Sequence, residues 1–139
     1  MQDLRDAREP QITQAPQAAA QQATRRAQAI QRLRVWARRA QSEAQYADTR
    51  ADMLNWQGQA EALGSVAAFL DNQGAQRSDF AIWSQVVSDR EKALANWQAQ
   101  QTGIEVAFFA GQVSGYDLAL TALPDVDGKI WPRADAHVG

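Results

Sequence analysis

The residues best equipped for chemistry in this chain are arginines. Arg25, Arg26, Arg32, Arg34, Arg38 and Arg39 fall within residues 25–39, and no acid interrupts them. A guanidinium is always charged and forks onto phosphate oxygens. On a helix, Arg25, Arg32 and Arg39 lie seven apart on one face, and Arg34 and Arg38 lie four apart on another. Such a stripe can neutralise phosphates, with binding that falls steeply with salt. Arg25, Arg32, Arg34, Arg38 and Arg39 are therefore candidate phosphate-binding residues, and Trp36 inside the patch is a candidate for base stacking. The rest of the chain opposes a dedicated nucleic-acid binder. Residues 40–139 carry six basic and thirteen acidic side chains, and the net charge is −2. The simpler reading is a solvated helix face, or an interface with the acidic remainder. Arg outnumbers Lys twelve to two, a bias that a GC-rich genome produces unaided.

Other chemistry is sparse. There is no Cys, which excludes a disulfide framework, a Cys nucleophile and Cys-bound zinc. The single His, His137, cannot by itself build a metal site or a Ser–His–Asp triad. No phosphate-binding glycine loop, nucleophile elbow or HExxH motif occurs. Asp125-Val126-Asp127-Gly128 lacks the later ligands and closing Glu of a calcium loop. No enzyme, cofactor or metal is expected. The opening residues Met1–Asp6 contain no apolar core, so no signal peptide is expected, and no apolar run reaches membrane-spanning length.

Composition limits the architecture. The apolar class is 45% of the chain, but 28 of those residues are Ala, and Gln adds 19 more residues. Both are better in helices than in sheets. An all-α fold follows: a long N-terminal helix packed on shorter ones, coiled-coil-like, with extended arms at both ends. Pro10 and Pro16 mark residues 1–16 as an extended or flexible arm. Residues 17–123 form the helical domain, opening with one long helix over about 17–63 because no Pro occurs between Pro16 and Pro124. In that helix Ile30, Leu33, Ala37, Ala40, Ala44, Ala47, Ala51 and Leu54 recur at alternating steps of three and four, a heptad seam for a partner helix or a second copy.

Gly58 and Gly64 bracket an expected break, with Ser65 capping the next helix. Asp71–Gly74 reads as a turn and Ser78 as the start of another helix, in which Phe80, Trp83, Val87, Leu94 and Trp97 follow the heptad rhythm around Arg90. Ile104–Phe109 fits a strand or a helix, with helix favoured by the Ala-rich surroundings. Ser114–Asp117 resembles a capping box for a last short helix that Pro124 stops. Residues 124–139 are an extended tail. Trp36, Trp56, Trp83 and Trp97 are expected in the core, whereas Trp131 lies in the tail as an anchor for a partner or for its own bundle.

Tyr116-Asp-Leu-Ala119-Leu120-Thr-Ala-Leu123-Pro124-Asp125, followed by Trp131-Pro132, resembles the closing segment of bacteriophage tail-assembly chaperones and related tail-fibre assembly proteins. These end in a short helix of the form Tyr-x-x-Ala-Leu-x-x-Leu-Pro, a loop, and Trp-Pro. The match covers about 17 residues; the Trp that precedes the Tyr in such proteins is replaced here by Val113-Ser114. The resemblance implies phage tail biology. Tyr116, Leu120, Leu123, Ile130 and Trp131 are the candidate tail anchor, with Ile130 and Trp131 on a short arm between Pro124 and Pro132.

The expected function is non-enzymatic. It is that of a helical structural or assembly protein of a phage virion or tail, made in the host cytoplasm. It contacts itself and other tail or capsid proteins and no membrane. The alternatives are a nucleic-acid-binding helical protein using residues 25–39 and a soluble tail-fibre assembly chaperone.

Overall fold

The computed structural model describes the backbone of residues 2–100 and 103–123, with side chains from Gln17 onward. It is all-α, as the composition requires. Among the described residues four helices follow one another: α1 (Gln2–Gln45), α2 (Arg50–Gln73), α3 (Asp79–Ala99) and α4 (Glu105–Ala122), with a single 3-10 turn at Gly74–Gln76 between α2 and α3. The expected extended tail over 124–139 lies outside the described residues.

α1 is helical from Gln2, where the prolines had pointed to an arm over 1–16. Each proline removes a single backbone donor, and the Arg, Ala and Gln residues around Pro10 and Pro16 are strong helix formers. At 44 residues α1 spans about 66 Å, against about 36 Å for the 24 residues of α2. The described side chains at its near end, Gln17–Gln21, are all exposed.

The expected helix over 17–63 is two helices. The chain turns at Tyr46–Thr49, without Gly or Pro. Thr49 is extended (φ −122°, ψ 157°), and its hydroxyl accepts a hydrogen bond from the Asp52 backbone N–H at 3.0 Å. That bond satisfies one of the orphan donors of a new helix start, and Asp52 adds a favourable charge in the first turn. Gly58 and Gly64, expected to bracket a break, and Ser65, expected to cap a new helix, all lie inside α2 and break nothing. At the far end of α2, Gly74 is the C-cap and the Ser78 hydroxyl caps α3 by accepting from Ala81 N–H at 3.1 Å. Gly103 (φ +100°) precedes α4, in the left-handed region that favours glycine. Ile104–Phe109 opens a helix, and Ser114–Asp117 lies in mid-helix, so no separate short helix starts there.

α2 and α4 run parallel and touch backbone to backbone. A Cβ added at Gly58 would stand 2.1 Å from the Phe108 carbonyl oxygen, and one at Gly111 would stand 2.0 Å from that of Asn55. One at Gly115 would meet Ala62 Cβ and the Gln59 carbonyl oxygen, both at 2.8 Å. Gly111 and Gly115 are four apart, so they share a face and let the helices approach closely. Asn55 Nδ2 donates across the contact to the Ala107 carbonyl at 3.3 Å, and Gln112 Nε2 donates to Glu61 at 2.9 Å.

α1 packs on the other side of α2, and α3 on the other side of α4, giving the spatial order α1, α2, α4, α3. The core lies where all four meet. Leu33, Leu63, Ile82 and Val86 are its largest fully buried side chains, with Val66, Leu70, Ala119, Leu120 and Leu123 around them.

Gly111→Ala is expected to destabilise the fold by about 3 kcal/mol or more, because a methyl group cannot share the space of a carbonyl. Gly64→Ala, with nothing within 4 Å of the added Cβ, should stabilise by about 1 kcal/mol through helix propensity. Urea unfolding of both variants reads the two signs. Equal effects of the two substitutions would mean that α2 and α4 do not meet at Gly111.

Candidate interaction surfaces

The Ala seam is occupied by the chain itself. Leu33, Ala37, Ala40 and Ala44 are buried and Ile30 is half-buried, where α1 packs on α2. The turn at 46–49 then breaks the line. Ala47 lies in the turn, Ala51 is exposed, and Leu54 is part-buried on α2. The eight positions therefore do not form one partner-facing surface. Small seam residues serve here to bring α1 close to its own hairpin mate.

The arginines divide by role. Arg34 Nη2 pairs with Asp71 Oδ2 at 2.7 Å on the surface. Arg25, Arg32, Arg38 and Arg39 are exposed and have no ion-pair partner among the described residues. Arg26, outside the phosphate-binding set, is the structural member. Its side chain is 11% exposed, and it donates to Asp79 Oδ1 from Nε at 3.1 Å and from Nη2 at 2.7 Å. It also donates to the Arg77 carbonyl at 2.8 Å and to the Gly74 carbonyl. Gln22 Nε2 reaches the other oxygen of Asp79 at 3.2 Å. One guanidinium thus ties α1 to the corner between α2 and α3. No local pattern in the sequence marks Arg26, because its acceptors lie about fifty residues away.

Three residues of the expected tail anchor belong to the core or its edge. Leu120 and Leu123 are buried, and Tyr116 is half-buried. Burial pushes the Tyr116 hydroxyl above its ordinary pKa, and the charges of Asp89 and Glu61 push it the same way. Ile130 and Trp131 lie outside the described residues.

On α3 the heptad residues do not form the buried line. The core side is Ile82, Val86 and Ala93. The stripe Phe80, Trp83, Val87, Leu94, Trp97 sits one residue round the helix, about 100° away. Phe80 is 53% exposed and Trp97 39%, while Trp83, Val87 and Leu94 are part-buried. Trp97 is therefore not a core residue, and Trp36, Trp56 and Trp83 are only part-buried. The reason is the packing order: α3 is covered by α4 on one side, and its aromatic stripe falls at the margin of that contact. Phe80 and Trp83 stack on each other with ring centroids 6.3 Å apart. Trp83 Nε1 is buried with no hydrogen-bond partner among the described residues. Arg90, in the middle of the stripe, is pulled toward α4 by its hydrogen bond to Asp117, which raises its pKa further.

Among the described residues no His, Asp or Glu group is arranged to hold a metal ion, and no helix is long and apolar enough to cross a membrane. No protein-family model matches the chain, and comparison with characterised proteins and with solved structures gives no match either.

Arg26→Ala is expected to cost about 2–3 kcal/mol, because it strips charged hydrogen bonds from two carbonyls and from Asp79. Arg32→Ala and Trp97→Ala should stay within about 1 kcal/mol of the parent, as exposed positions do. Denaturant midpoints separate these cases. The Tyr116 shift has a defined sign. The unfolded chain loses this proton first, so stability falls as pH rises through about 10, the ordinary tyrosine value. Tyr116→Phe should remove part of that alkaline loss, and equal alkaline slopes in both proteins would refute it.

Proposed function

We propose that this chain is a non-enzymatic helical structural or assembly protein that works through protein–protein contacts, as a component of a bacteriophage virion or its tail. The observation that carries the reading is the partly uncovered stripe on α3. Phe80, Trp83, Val87, Leu94 and Trp97 recur at the spacing with which one helix receives another, and its two ends stand open to solvent. Large aromatic side chains at such positions supply most of the binding energy of typical interfaces. The phage setting is supported by the resemblance of Tyr116–Asp125 and Trp131-Pro132 to tail-fibre assembly proteins. Its partners on this reading are further copies of itself and other tail or capsid proteins. A soluble assembly chaperone shares the same resemblance but would be absent from finished particles, which mass spectrometry of purified particles distinguishes.

A second reading, nucleic-acid binding, is favoured by one observation. Arg25, Arg32, Arg38 and Arg39 lie exposed along α1 without ion-pair partners among the described residues. Such a row meets the requirement for phosphate contacts.

The double variant Phe80→Asp/Trp97→Asp should retain the helical far-UV circular dichroism of the parent while its association, followed by light scattering against concentration, weakens at least tenfold. Arg32→Glu/Arg39→Glu should leave association intact. If the arginine variant alone abolishes tight DNA binding at physiological salt, the second reading replaces the first.

A further inference from the structure

We propose that residues 124–139, which follow α4, fold back onto the Phe80–Trp83 end of α3 in the same chain and seat Ile130 and Trp131 there. The inference rests on the fold and not on the function proposed above, although both concern the Phe80–Trp83 end of the α3 stripe.

Its first support is the place where the chain leaves the bundle. Asp117 on α4 meets Arg90 on α3, and the two helices run antiparallel. Six residues further along α4 is Leu123, and six residues back along α3 is Ser84, each step covering about 9 Å. The chain therefore leaves α4 beside the first turns of α3. Leu123 lies in the same buried cluster as Ile82 and Val86, and Trp83 packs against that cluster.

The second support is what stands uncovered at that point. Phe80, stacked on Trp83, is the more exposed of the two aromatic ends of the stripe.

The third is the order of residues after the exit. Pro124 cannot extend the helix, and Asp125, Asp127 and Gly128 favour a turn. A reversal there sends Lys129, Ile130 and Trp131 back alongside α3, and Pro132 keeps Trp131 extended. The eight residues 124–131 reach at most about 27 Å, ample for the first turns of α3 after a reversal. Asp125 and Asp127 would pass the N-terminus of α3, where the helix dipole favours negative charge.

Tethering decides between this segment and a second copy. A group held a few residues from its site acts at a local concentration on the order of millimolar, which a separate molecule does not reach at ordinary protein concentration. The occupant of the Phe80–Trp83 face is thus the chain's own tail, and any partner helix must displace it.

The chain contains no cysteine, so a designed pair reports without background. Ser84, one turn beyond Phe80, and Lys129, beside Ile130, can be replaced without touching the proposed contact. In the full chain at low micromolar concentration, Ser84→Cys/Lys129→Cys should form an intramolecular disulfide at least tenfold faster than Gln28→Cys/Lys129→Cys, whose first site is on the outer face of α1. Adding Trp131→Ala to the first pair should slow the reaction about tenfold. Circular dichroism confirms that each variant is folded. Equal rates for the two pairs, or no effect of Trp131→Ala, would overturn the proposal. Disulfides formed only between chains would overturn it as well and assign the face to a second copy.

Discussion

Three missing methyl groups determine how the helices are arranged. Because Gly58, Gly111 and Gly115 carry no Cβ, α2 and α4 approach until the carbonyls of one meet the backbone of the other. No larger residue is compatible with that distance. The pair forms the middle of the molecule, so α1 and α3 are each left with one covered side. Both candidate surfaces follow from this: the outer face of α1 carries its arginines into solvent, and the margin of α3 carries its aromatics there. A symmetric bundle in which every helix met two neighbours would have hidden one of them.

Charge is distributed to match. Residues 17–45 hold six arginines against one acid, whereas residues 46–123 hold four basic and nine acidic side chains. Among the described residues, two ion pairs join α1 to the rest, Arg26–Asp79 and Arg34–Asp71. Their exposures differ greatly, and so do their energetic roles. The Asp79 pair is largely shielded and shares its guanidinium with two carbonyls, so it fixes a corner of the fold. The Asp71 pair is half-exposed, and such pairs contribute little.

Much of the architecture was legible in the sequence. Ala and Gln dictated helices, Ser78 marked a helix start, and Pro124 marked the end of the last helix. The misread places share a cause: one residue type served two purposes. Glycine commonly punctuates helices, so Gly58 and Gly64 looked like a break, yet Gly58 permits a close crossing and Gly64 is tolerated. The pair Gly111 and Gly115, four apart, was the visible sign of that crossing. The turn at 46–49 was hidden in an Ala-rich run because its signal, a Thr-x-x-Asp cap at Thr49 and Asp52, is short and also common inside helices. On α3 the heptad residues were visible but lie beside the core line, since a repeat reports where apolar residues align and not which neighbour covers them. The arginine set was visible as well, but Arg26 became distinct only through acceptors remote in sequence.

The parallel pairing of α2 with α4 also dictates an order of assembly. Antiparallel neighbours such as α1 and α2 need only a short turn between them, but parallel neighbours need a crossover, and here α3 is that crossover. The contacts between Gly58 and Phe108, or Asn55 and Gly111, join residues fifty or more positions apart. They form only after the entropy of closing that long loop has been lost. The α1–α2 hairpin is therefore the natural early unit, and the docking of α4 is the slow event that commits the chain to its fold. Until then Gly58 stands bare on α2, and the backbone groups that α4 will cover remain in water.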